Sequence, residues 1–132
     1  MTEVIWIDKH EALTIHAQQI AEHGGSDGIR DNGLLESALA RAQNLLAYSE
    51  ENPSIPRLAA AYAFGIARNH PFVDGNKRTS LVVSLTFLLV NGLALTAPRE
   101  DRYFIYYDLA AGKLSEDELA KWLEVNTEPA SK

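Results

Sequence analysis

The amino-acid sequence predicts an all-α protein, a compact six-helix bundle with a central apolar helix and room for one short β pair. Residues typical of helix ends recur along the chain, and apolar residues between them repeat at intervals of three and four. Two apolar segments, residues 4–7 and 93–96, are candidate strands that could pair with each other. With 132 residues the chain has the length of one domain, which we place at 1–126, followed by a frayed tail at 127–132.

The first two helices are predicted from their caps. Asp8 and Glu11 have the spacing of a capping box, and Gly24-Gly25 ends the helix that they begin. Its buried stripe is predicted at Leu13, Ala17 and Ile20. Asp31 can cap a second helix after a glycine-rich loop. The repeating apolar positions of that helix are Leu34, Leu35, Ala38, Leu39, Ala42, Leu45 and Leu46.

A proline separates the third and fourth helices. The third is predicted over about 54–69 from its run of small apolar residues. Pro71 then disfavours helical backbone at His70. The fourth is predicted over about 76–91 and ends before Gly92. It is apolar nearly all round, which predicts that it is the central helix.

The last two helices are predicted from Pro98, which opens helix five, and from Ser115 with Glu118, which have capping-box spacing for helix six. The core side of helix five is predicted at Tyr103, Phe104, Tyr107 and Leu109. That of helix six is predicted at Leu119, Trp122 and Leu123.

The composition narrows the class of protein. With 46% hydrophobic residues the chain can build a core, and without cysteine it has neither disulfides nor thiolate metal sites. A net charge of −6 argues against direct binding of nucleic acid, which needs a positive face. No leader peptide and no apolar run long enough to span a bilayer is visible, which predicts a soluble cytoplasmic protein with no membrane partner.

The residues from His70 to Thr79 have the strongest functional pattern. They lead into helix four, whose first backbone N–H groups lack helical partners and can bind an anion. The imidazole of His70 can accept a proton near neutral pH, and the carboxylate of Asp74 is a suitable ligand for magnesium. Gly75 permits positive φ and close approach of a ligand.

The local charge of this segment also favours an anionic ligand. Three cations, Arg68, Lys77 and Arg78, stand against one carboxylate, Asp74, which leaves a local charge of +2 in a protein of net charge −6. Lys77 and Arg78 would oppose the dipole of helix four unless an anion completes the site. A small polyanion such as a nucleoside triphosphate fits this pattern.

A structural explanation of the same segment stays open, since Pro71, Gly75 and Asn76 could simply form a tight connection between helices. The combination of base, acid, glycine and two cations favours a functional site instead. Phe72 is expected to anchor the turn in the core. The spacing around Lys77 is not that of a P-loop, and the HRD and DFG triplets of protein kinases are absent.

The pattern His70-Pro71-Phe72-x-Asp74-Gly75-Asn76-Lys77-Arg78 resembles the signature of the Fic/Doc family, and Lys77 resembles its Doc (death-on-curing) branch. Further resemblance lies in Gly24-Gly25, in the residues from Gly28 to Asp31 and from Gly33 to Leu39, and in Arg68. The resemblance covers nearly the whole chain.

The resemblance implies a role for each site residue. His70 would take or orient the proton of a target hydroxyl, and Asp74 would hold Mg²⁺. The backbone around Gly75 to Arg78, together with Asn76, would bind the phosphates of ATP. Lys77 and Arg78 would neutralise charge on the transferred group. Arg68 would add a phosphate contact, or would only brace helix three.

The resemblance also implies a biological role. Most of the family transfers AMP and has glycine where this chain has Lys77, whereas the Doc branch uses ATP in reverse orientation and transfers the γ-phosphoryl group. The implied protein is the toxin of a type II toxin–antitoxin system, which phosphorylates a threonine of elongation factor Tu and arrests translation. Its implied partner is an antitoxin whose disordered tail folds as a helix in the toxin groove.

Two departures bear on the alternatives. Many AMP-transferring members have a second arginine where this chain has Leu81, which weakens the AMP-transfer alternative. The self-inhibitory pattern Ser/Thr-x-x-x-Glu-Gly/Asn is absent, so restraint would come from another chain. A third alternative, an inactive binding module, would be expected to lack the histidine or the acid, and His70 and Asp74 are both present.

Several other residues have simpler interpretations. His10, His16 and His23 share helix one, where we expect a solvated polar face rather than a metal site. Trp6 and Trp122 are expected to pack in or beside the core, with contact to a partner as the alternative. Arg30 is expected to be an ionic neighbour of the Asp31 cap, although it could reach the groove.

Overall fold

The structure, a computed structural model, describes residues 3–130. Within that range the chain forms six helices and one antiparallel pair of short strands, so the predicted all-α class is confirmed. The helices are α1 (Lys9–His23), α2 (Asn32–Tyr48), α3 (Ile55–Asn69), α4 (Asn76–Val90), α5 (Arg99–Ala110) and α6 (Glu116–Val125), and the strands are β1 (Leu93–Leu95) and β2 (Thr127–Pro129). No helix in the described residues is long and apolar enough to cross a bilayer.

The predicted caps are present at the helix N-termini. Asp8 and Ser115 form complete capping boxes with Glu11 and Glu118, and Asp31 accepts a hydrogen bond from Leu34 N. α2 buries four of its predicted positions: Leu35, Ala38, Leu39 and Ala42. Local capping chemistry therefore fixed where these helices begin.

The most buried helix is α3 rather than α4. It packs against α2, α4, α5 and α6, and most of its side chains are inaccessible to water. Small residues allow this, because a Cβ on Gly65 would lie 3.0 Å from the Cα of Ala38 in α2. On α4 the end of the apolar run is exposed, at Leu89 and Val90. The uniformly apolar sequence of α4 therefore predicted more burial than the helix has.

The predicted β pair exists with a different partner. β1 pairs with β2, in a register that places Leu93 opposite Pro129 and Leu95 opposite Thr127. Residues 4–7 form no strand, because the backbone of Ile5 is hydrogen-bonded by the side-chain amide of Asn91. The predicted frayed tail is therefore wrong at 127–129, and its residues 131 and 132 lie outside the described residues.

Two helices bury a different face from the one that the sequence predicted. α1 buries Ala12, Ile15 and His16, while Ala17 is exposed. α5 buries Tyr106 and Leu109. The predicted core residues of α5 that are exposed instead are Tyr103, Phe104 and Tyr107. In both helices the pattern has apolar residues on more than one face, so sequence alone did not select the packed face.

The tryptophans pack beside the core, as expected. Trp6 stacks on Phe87 with ring centroids 6.0 Å apart, and Trp122 is partly buried against the core. Partner contact is not needed to explain either residue.

Candidate active site

The backbone turns sharply between α3 and α4 at His70. His70 has φ of 48°, the left-handed conformation, and it is the C-cap of α3. The guanidinium of Arg30 holds this end of the helix, since its Nε donates to the carbonyl of His70 (2.6 Å) and its NH2 donates to the carbonyl of Asn69 (2.8 Å). The turn is therefore braced by the loop that precedes α2.

The interior of the turn is closed by Phe72 and Asn76. Phe72 is 1% exposed, as its predicted anchoring role requires. The Asn76 side chain accepts from Phe72 N (3.0 Å) and donates to Phe72 O (3.0 Å), which fixes the orientation of the amide. Its Nδ2 also lies 3.5 Å from Nδ1 of His70, at the outer limit of a hydrogen bond. The Asn76 side chain thus braces the turn and the imidazole.

Asp74 is held by backbone groups on both sides. Its carboxylate accepts hydrogen bonds from Ser26 N (3.2 Å) and from Gly75 N (2.8 Å). These two bonds, that of Ser26 first, lower the pKa of Asp74 below its ordinary value. Asp74 therefore stays ionised at pH values where a free aspartate would already be protonated. The two hydrogen bonds to its carboxylate stabilise the loop until the pH falls through that lowered pKa.

A buried histidine, His16, holds the backbone of Asp74. His16, which we expected on a solvated face, is 2% exposed. Its Nε2–H donates to the carbonyl oxygen of Asp74 (2.8 Å), and its ring stacks on Phe72 at 3.8 Å between centroids. The expectation failed because the motif turn folds onto this face of α1.

The first turn of α4 leaves three backbone donors for a ligand. The N-cap is Gly75, with φ of 77° and no side chain to cap the helix. Within residues 3–130, the first N–H of α4 with a backbone acceptor is that of Thr79, bonded to Gly75 O. The N–H groups of Asn76, Lys77 and Arg78 are therefore available to an anion.

The two cations of this turn take different positions. Nζ of Lys77 lies 4.4 Å from the centroid of the Tyr107 ring, across the cleft on α5. Arg78 donates from NH2 to the carbonyl of Gly24 (3.1 Å), while its Nε is buried without a hydrogen-bond partner among the described residues.

These groups surround a cavity of about 480 Å³. It is lined by His70, Val73, Asp74, Gly75, Asn76, Lys77, Arg78, Tyr107, Ala110 and Ala111. Six of the seven predicted site residues are thus brought together, and the imidazole is exposed at the cavity. This size is typical of small-molecule sites.

Arg68 is the predicted site residue that does not line the cavity. Its guanidinium lies 5.5 Å from the centroid of the Phe64 ring and beside Gly112. This placement agrees with the bracing alternative, and the phosphate contact stays a prediction.

Two contributors to the site, His16 and Arg30, were not predicted as such. Both act through the backbone of the motif, at Asp74 and at His70. Arg30 bonds to the backbone of the motif turn but does not line the cavity, so it does not reach the groove as its alternative interpretation had it. The sequence contained no further signal for His16, since its burial depends on how α1 packs against the turn.

The site fits a magnesium ion of the kind held mainly by phosphate. Asp74 is ionised, exposed and at the cavity. Within the described residues no group of three or more histidine and acidic side chains could hold a metal by itself. Magnesium sites with nucleotides commonly use one or two carboxylates, with substrate phosphates and water completing the shell.

Replacing Gly25 with alanine is expected to disturb Asp74. A Cβ on Gly25 would lie 2.7 Å from Oδ2 of Asp74, at a residue with φ of 115°. Gly24→Ala is the matched control, because Gly24 also has positive φ (81°) but has no atom within 4 Å of such a Cβ. Both variants should lose about 1–2 kcal/mol from left-handed strain, measured by urea denaturation. Only Gly25→Ala should also displace the Asp74 carboxylate and remove the lowering of its pKa, measured by NMR titration, and the same Asp74 titration in both variants would contradict this role.

The fold and the site define a small α-helical domain with a cleft at a helix N-terminus, where a histidine, a carboxylate and two cations meet. A family model described as the Fic/DOC family matches residues 6–88. The chain belongs to the Fic/Doc family, which confirms the resemblance seen in the sequence.

Two relatives share most of the chain. The first is Toxin Doc of Mycolicibacterium smegmatis, 43% identical over 97 residues, which are 74% of this chain and 71% of that protein. The second is Protein kinase doc of Escherichia phage P1, 38% identical over 87 residues, which are 66% of this chain and 68% of that protein.

Proposed function

We propose that this protein is the toxin of a type II toxin–antitoxin pair, and that it is a kinase transferring the γ-phosphoryl group of ATP to a protein hydroxyl. The proposal is supported most directly by one observation. The imidazole of His70 is exposed in the same cavity as three free backbone donors, Lys77 and the carboxylate of Asp74. The names of the two relatives, a toxin and a protein kinase, agree with it.

The proposed chemistry assigns each group a part. The phosphates lie at the N–H groups of Asn76, Lys77 and Arg78, and Lys77 stabilises charge on the transferred group. The target hydroxyl oxygen forms a bond to the γ-phosphorus as the bond to the β-phosphate oxygen breaks. The hydroxyl proton passes to His70. Bound magnesium would neutralise phosphate charge, with Asp74 as its protein ligand.

The proposed substrate is a threonine of elongation factor Tu, and the proposed outcome is arrest of translation in the cytoplasm. Mass spectrometry of a host lysate after expression should detect phosphate on one threonine of that factor. Phosphate on a different protein would correct the target and leave the kinase proposal intact.

The proposed partner is an antitoxin with a tail that folds as a helix on the toxin. Exposed aromatic side chains on α5, among them Phe104 at 71% exposure, provide apolar surface for such a helix beside the cavity. An antitoxin bound there would cover the entrance to the site.

The choice between kinase and AMP transferase depends on Lys77. We expect the wild-type protein to label its target from γ-labelled but not from α-labelled ATP in a translation extract. Lys77→Gly removes one of the two cations in the first turn of α4, and it should lose most γ-transfer and gain some nucleotidyl transfer. Label from α-labelled ATP alone in the wild type would establish AMP transfer instead, and wild-type γ-transfer in Lys77→Gly would contradict the role of Lys77.

A further inference from the structure

His70, the proposed proton acceptor, has a backbone conformation that needs support from its surroundings. Within residues 3–130 it is the one residue other than glycine with positive φ, at 48°, and its ψ is 55°. This left-handed conformation is uncommon for a residue with a Cβ, because the Cβ crowds the backbone. Pro71 disfavours the right-handed helical region at His70, so the ordinary alternative is extended backbone. The left-handed conformation therefore depends on contacts that extended backbone would not make.

We propose that Arg30 keeps His70 in this conformation and is thereby a positioning residue for the imidazole. Arg30 would select between two backbone conformations of His70, of which the left-handed one places the imidazole at the cavity. This role rests on the proposed function, because it matters for activity only if His70 takes the proton.

The guanidinium of Arg30 bonds to both carbonyls that flank the φ and ψ torsions of His70. Its Nε donates to the carbonyl of His70 at 2.6 Å, and its NH2 donates to the carbonyl of Asn69 at 2.8 Å. Because peptide groups are planar, φ and ψ of His70 set the relative direction of these two carbonyls. Nε and NH2 belong to one rigid planar fork, so both bonds form only when the two carbonyls face it together. The fork therefore selects a particular φ and ψ at His70.

The same two bonds are strong enough in kind to oppose the left-handed strain. Both acceptors lie at the C-terminus of α3, where the last carbonyls of a helix lack partners and a cation is favourable. Hydrogen bonds from a charged donor are also stronger than those between neutral groups. The Cβ of His70 lies between the same two peptide planes, so a change of φ would turn the imidazole away from its present direction.

The backbone around Arg30 is tied to the motif turn. The N–H groups of Arg30 and Asp31 both donate to the carbonyl of Pro71, at 2.7 and 3.0 Å. The N–H of Val73 donates in return to the carbonyl of Gly28 at 3.0 Å. The two segments therefore lie side by side, and the Arg30 side chain extends from a fixed position toward the end of α3.

The test is Arg30→Ala in the full chain. NMR should show His70 with negative φ, from its backbone chemical shifts and its three-bond coupling. Phosphoryl transfer with saturating ATP should fall about 10²-fold, the usual effect of displacing a reacting group by about 1 Å. ATP binding, measured calorimetrically with magnesium, should match the wild type, because the N–H groups of α4 stay in place. Arg30→Lys keeps the charge without the planar fork, so it should fold as the wild type does and still lose most of the transfer.

Arg102→Ala is the matched control. Arg102 also donates from Nε and NH2 to two backbone carbonyls, those of Ala97 (2.9 Å) and Leu95 (3.3 Å), and it does not line the cavity. It should lose about as much stability in urea as Arg30→Ala and keep wild-type transfer. Millimolar guanidinium should restore part of the transfer in Arg30→Ala and none in His70→Ala.

Positive φ at His70 in Arg30→Ala, or equal transfer in Arg30→Ala and Arg102→Ala, would overturn the positioning role while the proposed function stood. A wild-type chain without phosphoryl transfer would overturn the proposed function. The φ of His70 in Arg30→Ala would then still decide whether Arg30 sets this backbone.

Discussion

Replacing His70 with alanine is expected to reduce the proposed phosphoryl transfer by about 10²–10⁴-fold, because a positioned general base contributes roughly that factor. The imidazole is exposed at the cavity and is braced through Asn76. Its removal deletes the proposed proton acceptor and leaves the N–H groups of α4 in place. Nucleotide binding should therefore persist, and the loss should appear in the rate with saturating ATP, measured with γ-labelled ATP.

The left-handed backbone of His70 calls for a second variant. His70→Asn also removes the base, and asparagine tolerates positive φ better than alanine does. Both variants should be equally inactive. His23→Ala is the control, since that histidine ends α1 with an exposed side chain and lines no part of the cavity. Unchanged growth inhibition by both His70 variants would favour the inactive binding module over the kinase.

Replacing Phe72 with alanine is expected to lower the free energy of unfolding by about 3–5 kcal/mol, the usual cost of truncating a buried phenylalanine. The ring is 1% exposed and stacks on His16. A domain of this kind has about 5–15 kcal/mol of stability in total, so the variant should be close to unfolding at growth temperature. Urea denaturation followed by circular dichroism measures the change.

Phe104→Ala makes the same chemical change at an exposed position. Its free energy of unfolding should stay within about 0.5 kcal/mol of the wild type. If the two phenylalanine variants were equally stable, Phe72 would not be the anchor of the motif turn. If Phe72→Ala lost activity under conditions where circular dichroism shows it to be folded, the turn would be displaced before the domain unfolds.

Local chemistry made much of the fold predictable. Asp8, Asp31 and Ser115 accept hydrogen bonds from helical N–H groups within the same few residues, so their role depends little on the rest of the chain. Pro71 likewise ended α3 at His70 through its own ring geometry. The cluster of six site residues was predictable for a similar reason, since all six lie within nine consecutive positions, 70–78.

Long-range pairing was not predictable in the same way. The partner of β1 is β2 and not residues 4–7, although residues 4–7 are the more apolar segment and the better candidate strand by sequence. The side chain of Asn91 satisfies the backbone of Ile5 in place of a strand. Two segments far apart in the chain compete to pair with β1. A three-residue strand has too few side chains for its sequence to decide between them.

The sequence by itself determined the helix boundaries, the family and the residues of the motif, because each of these depends on neighbours along the chain. Only the tertiary structure decided that His16 and Arg30 donate hydrogen bonds to backbone carbonyls of the motif. It also decided that Arg68 lies outside the cavity. It also turned Tyr103 and Tyr107 toward a groove instead of the core. The physical reason is that the rotation of a helix about its axis is set by the surfaces packed against it, and those surfaces come from distant segments.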